Sequence, residues 1–441
     1  MSGCISIEKS EGFANMESSN VMPRKRFSFR NCTLGGVFIV IGITLAIAMS
    51  IAGFLMAAYS VSKTSEVSRL QKLSNIFLTS DISNLPATYS SYPLAVGTGY
   101  WAQKANLAYA RSDFGAQPYG NKIIIFGGSG NGSETMQLNA TIAYDITSGQ
   151  ATKLSDMPVA ISRFAHAILN DSIYVFGGTT NYDGNSCVSS AYQYNITSDT
   201  WFTLRNLPNT IIDSAATVGS DGKIYIVGGY IAPAYDILNT VYQFDPTSMS
   251  FATLSASLNT ARGDLRVVSV GTKIYAIGGF NWVVYPEASA LSSVEAMDLS
   301  VMPRAWSYVT PMSKGRGDFA AGVLNGSRII VAGGEVDLGD GLGTQYATDA
   351  VEVYMVDNDQ WLDKALLPDA RFRHEGAVMN GDHFYAMGGT QTCVLSNEFK
   401  CYDFALKSVF EFLAVDSPLV YVVYRTSAIA KRMARRLMMS L

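Results

Sequence analysis

Residues 173–178 read IYVFGG, a short run of β-branched and aromatic residues closed by two glycines. The pattern returns as IIIFGG ending at Gly128, IYIVGG at Gly229, IYAIGG at Gly279, IIVAGG at Gly334 and FYAMGG at Gly389. The first glycines of these pairs are 50, 51, 50, 55 and 55 residues apart. A second marker keeps step with them. Trp101, Trp201, Phe251, Trp306 and Trp361, with Ala151 in the one vacant slot, each stand 26 or 27 residues before a glycine pair. Two independent markers in one register define a repeat, and a period of this size belongs to propellers and solenoids.

Each unit reads as four short strands. In the second unit, RFAHAIL (163–169) is strand a, Asn170-Asp171-Ser172 the turn, IYVFGG strand b, AYQYNI (191–196) strand c and Trp201–Leu204 strand d. Strand b is apolar at nearly every position, as expected where both faces of a sheet are covered. The glycine pair marks a sharp turn against another backbone, where a Cβ would obstruct. The aromatic marker is a wedge between sheets. After Gly389 the chain supplies one more strand c, SVFEFL (408–413), and no marker-bearing strand d. At the start, Gly99-Tyr100-Trp101 has the strand d signature with nothing before it. The N-terminal strand is therefore expected to complete the last blade. The fold class is all-β, a six-bladed propeller, and ring closure leaves few exposed strand edges.

These units resemble the kelch repeat over residues 96–415. The resemblance rests on the paired glycines, the aromatic pairs Tyr194–Trp201 and Tyr354–Trp361, and an arginine ahead of strand a. The first unit departs from it at Ala151, and the third lacks the arginine. It is specific to the fold and silent on function.

A transmembrane helix is expected before the propeller. No charged residue occurs from Asn31 to Ser62, and Leu34 to Tyr59 is almost wholly apolar, more than the ~20 residues a spanning helix needs. A cleavable signal peptide, the rival reading, has a shorter apolar core. Arg24, Lys25, Arg26 and Arg30 precede the segment, so the positive-inside rule puts residues 1–33 in the cytosol and the rest outside it. The domain plan is a cytosolic segment 1–33, a signal-anchor 34–59, a Ser/Thr-rich stem 60–95, the propeller 96–415 and a basic tail 416–441. This is a type II protein of the secretory pathway, in the Golgi, endoplasmic reticulum or plasma membrane. Sequons at Asn131, Asn139, Asn170, Asn195 and Asn325 all follow the anchor and fall in expected turns, where glycans can be carried. Gly42, Ala46 and Ser50 form a stripe that suits a homodimer through the helix, although small residues are common in such spans.

Residues 1–33 carry a net +2 and residues 425–441 a net +5, so a chain of net −4 leaves −11 to residues 34–424. An acidic body of this kind repels phosphate backbones, and nucleic acid is not an expected partner. Cys393 and Cys401 share one loop and are expected to form a disulfide, while Cys187, in blade two, is expected to stay a thiol or to bridge to another chain. The basic tail reads either as a helix on anionic lipid or as a solvated terminus.

In a propeller, the d–a and b–c loops emerge on one face and the a–b and c–d turns on the other. Proteins of similar fold hold ligands on the loop face, so the resemblance nominates Arg111, Asp113, Arg163, Asp213, Arg262, Asp264, Arg316, Asp318, Arg373 and His374 as a ring at the tunnel mouth. Trp282 and Tyr346 join them from the b–c loops. Guanidinium groups suit carboxylate or sulfate recognition; the competing reading is that each arginine pairs with a neighbouring acid to hold the blades in register. Arg262-Gly-Asp264 and Arg316-Gly-Asp318 look like adhesion motifs, but both fall in the repeat register. No cofactor or metal is expected. The resemblance extends to copper radical oxidases, whose metal takes two histidines, and His374 and His383 stand at opposite ends of a hairpin, roughly 16 Å apart. It also extends to sugar mutarotases, which need only arginines and acids. The reading is a membrane-anchored module that binds a glycan or a protein, with a carbohydrate-active enzyme using the same cleft as the alternative.

Overall fold

The structure, a computed structural model, describes residues 99–130, 136–181, 186–231, 236–284, 287–337, 345–391 and 405–413. The expected anchor, stem and tail, together with Asn131, Cys393 and Cys401, lie outside those residues, as does the side chain of Trp282. The described chain forms six four-stranded antiparallel sheets. In blade two the strands are Ala165–Leu169, Ser172–Phe176, Ala191–Asn195 and Thr200–Thr203, from the axis outwards. Each innermost strand lies beside the innermost strand of the next blade, and that of blade six (Glu375–Met379) lies beside that of blade one (Gly115–Tyr119).

Blade six is composite. Its strands a, b and c are Glu375–Met379, His383–Met387 and Val409–Leu413, and its outer strand is Tyr100–Gln103. The register runs from Tyr100↔Leu413 to Gln103↔Phe410. Both ends of the described chain therefore meet on the turn face.

The hydrophobic core is divided into six clusters, one between each pair of adjacent blades. Every strand b is buried on both faces because it feeds two of these wedges. The markers tie the wedges together. The indole N–H groups of Trp101, Trp201, Trp306 and Trp361 donate at 2.8–3.2 Å to carbonyls of Ala365, Ser155, Ala256 and Thr310. Each acceptor lies just past strand d of the preceding blade. Phe251 packs without a donor, and Ala151 is exposed.

The glycine pairs join blade to blade. The second glycine of each pair, Gly128, Gly178, Gly229, Gly279, Gly334 and Gly389, donates its N–H to the next blade, at Ile161, Ile211, Arg262, Arg316, Arg371 and Arg111 in turn. These six bonds close a circle. A Cβ on the first glycine would strike that same carbonyl, at 2.4 Å for both Gly177 and Gly228. Only glycine lets the backbones approach this closely at positive φ.

Candidate functional site at the tunnel mouth

A second circle of bonds defines the mouth. Two positions before the first residue of strand a, Asp113, Arg163, Asp213, Asp264, Asp318 and Arg373 all adopt φ between +51° and +57°. Each donates its backbone N–H to the carbonyl of the preceding ring member at 2.8–3.1 Å, and Asp113 closes the ring on Arg373. The left-handed region costs non-glycine residues about 1–2 kcal/mol each, with aspartate among the more tolerant. Strain of this kind concentrates at functional sites.

Four carboxylates and two guanidinium groups thus share one layer around the axis, a net −2. Arg163 grips Asp213 with Nε and Nη2. Arg373 stands between Asp318 at 3.3 Å and Asp113 at 3.8 Å. Asp264 has no ion pair among the described residues; its Oδ2 accepts from the Tyr230 hydroxyl at 2.8 Å. Burial, then the charges of Asp213 and Asp318, push the Asp264 carboxyl well above the ordinary carboxylate range. Burial also pushes Asp113 up to about 6 against the pull of Arg373, and raises Asp318. Burial works against the Arg163 charge, but Asp213 outweighs it and holds that guanidinium firmly protonated.

Further along strand a the tunnel is crossed by side chains. Arg266 of blade four reaches Glu375 of blade six at 2.7 Å. His166 of blade two lies 3.7 Å from the same carboxylate and 2.8 Å from Gln117 of blade one. Burial would raise Glu375, yet Arg266 and His166 together bring it below its ordinary value. The network forms a floor beneath the ring.

The structure separates the residues that the sequence grouped as one ring. Arg111, Arg262 and Arg316 do not line the mouth; they are fully buried inside their blades. Arg262 meets Glu295 at 2.7 Å and Arg316 meets Glu352 at 2.5 Å, both pairs excluded from solvent. The equivalent arginine of blade six is Arg371, while Arg373 belongs to the ring. His374 is likewise fully buried, where burial and Arg371 hold it well below the ordinary histidine value. The expected arginine-rich mouth is therefore a mainly acidic one. A signal for the division was present: slot residues stand 16 or 17 positions before the first glycine of the pair, and ring residues 14 or 15. Arg266, Tyr230, Gln117, Glu295 and Glu352 carried no such signal, because their partners lie on other strands or blades.

Hairpins rise from the loop face on blades three to five: Tyr230–Ile231 with Asp236–Ile237, Phe280–Val284 with Glu287–Ala290, and Glu335–Asp337 with Gln345–Ala347. Those of blades four and five touch, the Ala290 N–H donating to Asp337 Oδ2 at 2.7 Å. Tyr346 is half-buried in the blade-five hairpin, opposite Val336. Asn170 and Asn325 are exposed on a–b turns, Asn195 starts a c–d turn half-buried, and Asn139 is exposed on the loop face. His383 lies 2.7 Å from Glu411 on the turn face, at the far end of the hairpin from His374.

Six blades, paired glycines at every inter-blade junction and a composite last blade define a β-propeller of kelch type. A model of the Attractin/LZTR1 β-propeller matches residues 123–399, and the chain belongs to that family. The solved structure described as "Structure of YjhT" is similar in fold. It has a TM-score of 0.58 and 18% identity, covering 73% of this chain and 99% of that one. No curated protein sequence matches the chain.

Proposed function

We propose that this protein is a membrane-anchored binding module whose loop-face mouth receives a donor-rich group of a protein or glycan ligand. Asp264 is the observation that carries the reading. It is a carboxylate at the mouth of the tunnel, pressed between two others and without an ion pair among the described residues, opposed only at longer range by Arg163, and a ligand ammonium, guanidinium or hydroxyl group supplies a direct partner. A lysine or arginine side chain of a protein fits the net −2 of the ring best; a glycan would offer hydroxyl groups. The acidic hairpin residues Asp236, Glu335 and Asp337 extend the same sign beside it.

The test screens the full chain against a glycan array and against paired lysine-rich and glutamate-rich peptides. Lysine-rich peptides or glycans should bind, and Asp264→Asn should weaken that binding at least tenfold. Preference for glutamate-rich peptides, or binding unchanged in Asp264→Asn, would remove the mouth from consideration. Catalysis on a sugar in the same cleft is the second reading. It rests on Asp113, whose carboxyl near 6 suits a general acid or base, and turnover of a sugar in the NMR spectrum would favour it.

A further inference from the structure

Four blades hold an arginine in the slot ahead of strand a, and Arg111, Arg262, Arg316 and Arg371 are all fully buried. In each case Nη1 donates to the carbonyl of the first glycine of its own blade, Gly127, Gly278, Gly333 or Gly388. In blades four to six Nη2 is met from the start of strand c, and in blade six Asp369 also lies 3.4 Å from it; Nε of Arg316 and Arg371 has no partner among the described residues. The residue just before that strand is Ser293 in blade four and Ser408 in blade six, whose hydroxyls accept from Nη2 at 3.1 and 2.8 Å. The second residue of the strand is Glu295 in blade four and Glu352 in blade five, which accept from Nη2 and carry the opposing charge. Blade one has Ala140 and Ile142 at these two positions. Arg111 accordingly lacks both partners.

Its Nε and Nη2 have no hydrogen-bond partner among the described residues; Nε is equally open in Arg316 and Arg371, so the unmet Nη2 and the missing acid set blade one apart. The bond to Gly127 is long at 3.3 Å, and the Phe114 ring lies 5.9 Å from Cζ. Burial pulls Arg111 down to about 10, so it stays charged at neutral pH. A buried cation with open N–H donors and no counter-charge is costly.

We propose that blade one holds a small monovalent anion, such as chloride, against Nε and Nη2 of Arg111. The ion stands in for the carboxylate that Glu295 and Glu352 supply in their blades. Water would satisfy the donors and leave the charge, and complete burial excludes a ligand as large as a peptide or sugar.

The test is thermal unfolding of the full chain in sodium chloride against sodium gluconate at constant ionic strength. Above saturation, each tenfold rise in chloride should raise Tm by about 2 °C. Ile142→Glu should raise Tm in gluconate and abolish the chloride response, and Arg111→Met should abolish the response as well. Crystals grown in bromide should show an anomalous peak beside Arg111. No chloride response in the parent, or the same response in both variants, would overturn the site. Should Ile142→Glu fail to fold, Arg111→Met and the bromide peak decide the question.

Discussion

Arg262 and Asp264 stand two positions apart and do opposite work. Arg262 is sealed inside blade four against Glu295, which also accepts the N–H groups of Asn259 and Thr260. Removing one member of a buried pair strands the other, at a cost of about 3–5 kcal/mol. Arg262→Met should therefore lower the urea midpoint by a corresponding amount, and a variant as stable as the parent would refute this placement. Asp264 is held in a like-charged ring, so Asp264→Asn should raise Tm at neutral pH while weakening ligand binding, a trade expected at functional sites. The pH dependence follows from the raised carboxyls. A carboxyl whose folded value exceeds its unfolded one binds its proton more tightly when folded, so its contribution to stability falls as pH rises. For Asp113 that window runs from the unfolded carboxylate range up to about 6. Asp113→Asn and Asp264→Asn should flatten the decline in Tm across it. Binding of a lysine-rich peptide should behave oppositely, weakening as pH falls and the raised carboxyls of the ring take up protons. A pH-independent affinity would argue against carboxylates as the contact.

At the scale of elements, the glycine pair is the joint between blades. A left-handed conformation costs a non-glycine residue about 1–2 kcal/mol wherever it occurs. Gly222 and Gly228 both have positive φ, yet a Cβ meets nothing within 4 Å at Gly222 and meets the Arg262 carbonyl at 2.4 Å at Gly228. Gly222→Ala should thus show the conformational cost alone. Gly228→Ala should cost clearly more by urea unfolding, because the inter-blade bond must lengthen or break. Equal losses would mean that backbone conformation, and not the approach of the next blade, selects the glycine. The tryptophans act across the same junctions from the rim, each donating to the preceding blade. Blade one lacks this tie at Ala151, and blade three keeps only the ring of Phe251.

For the whole molecule, closure depends on a strand separated from its sheet by the length of the propeller. Trp101 packs on Phe384 and Phe412 and donates to Ala365 in the neighbouring blade. Deleting residues up to 110 should expose the Val409–Leu413 edge and part of a core wedge, giving aggregation or a large fall in Tm. An equally stable monomer would show that the ring closes without it. The orientation expected for residues 34–59 has its own check. Protease added to sealed microsomes should remove only about the first thirty residues, and deglycosylation should raise gel mobility. Digestion of the propeller in intact vesicles would reverse the topology.

The repeat, the blade count and the composite last blade were legible because glycine pairs and aromatic markers act through local backbone geometry, which recurs with the chain. IYVFGG could be read as a buried strand with a tight turn without knowing what lay beside it. The tunnel mouth was legible only in part. Asp113, Arg163, Asp213, Asp264, Asp318 and Arg373 were nominated together with Arg111, Arg262 and Arg316, because nearness in sequence does not reveal which way successive side chains turn. A positive φ at the ring position sends residues two apart to different places, one to the axis and one beneath the glycine pair. The acids that capture Arg262 and Arg316 come from strand c, more than thirty residues on. Charge at the mouth, the floor joining Arg266 to Glu375 and the orphaned state of Arg111 were therefore decided by the tertiary structure, since each depends on which strands closure brings together.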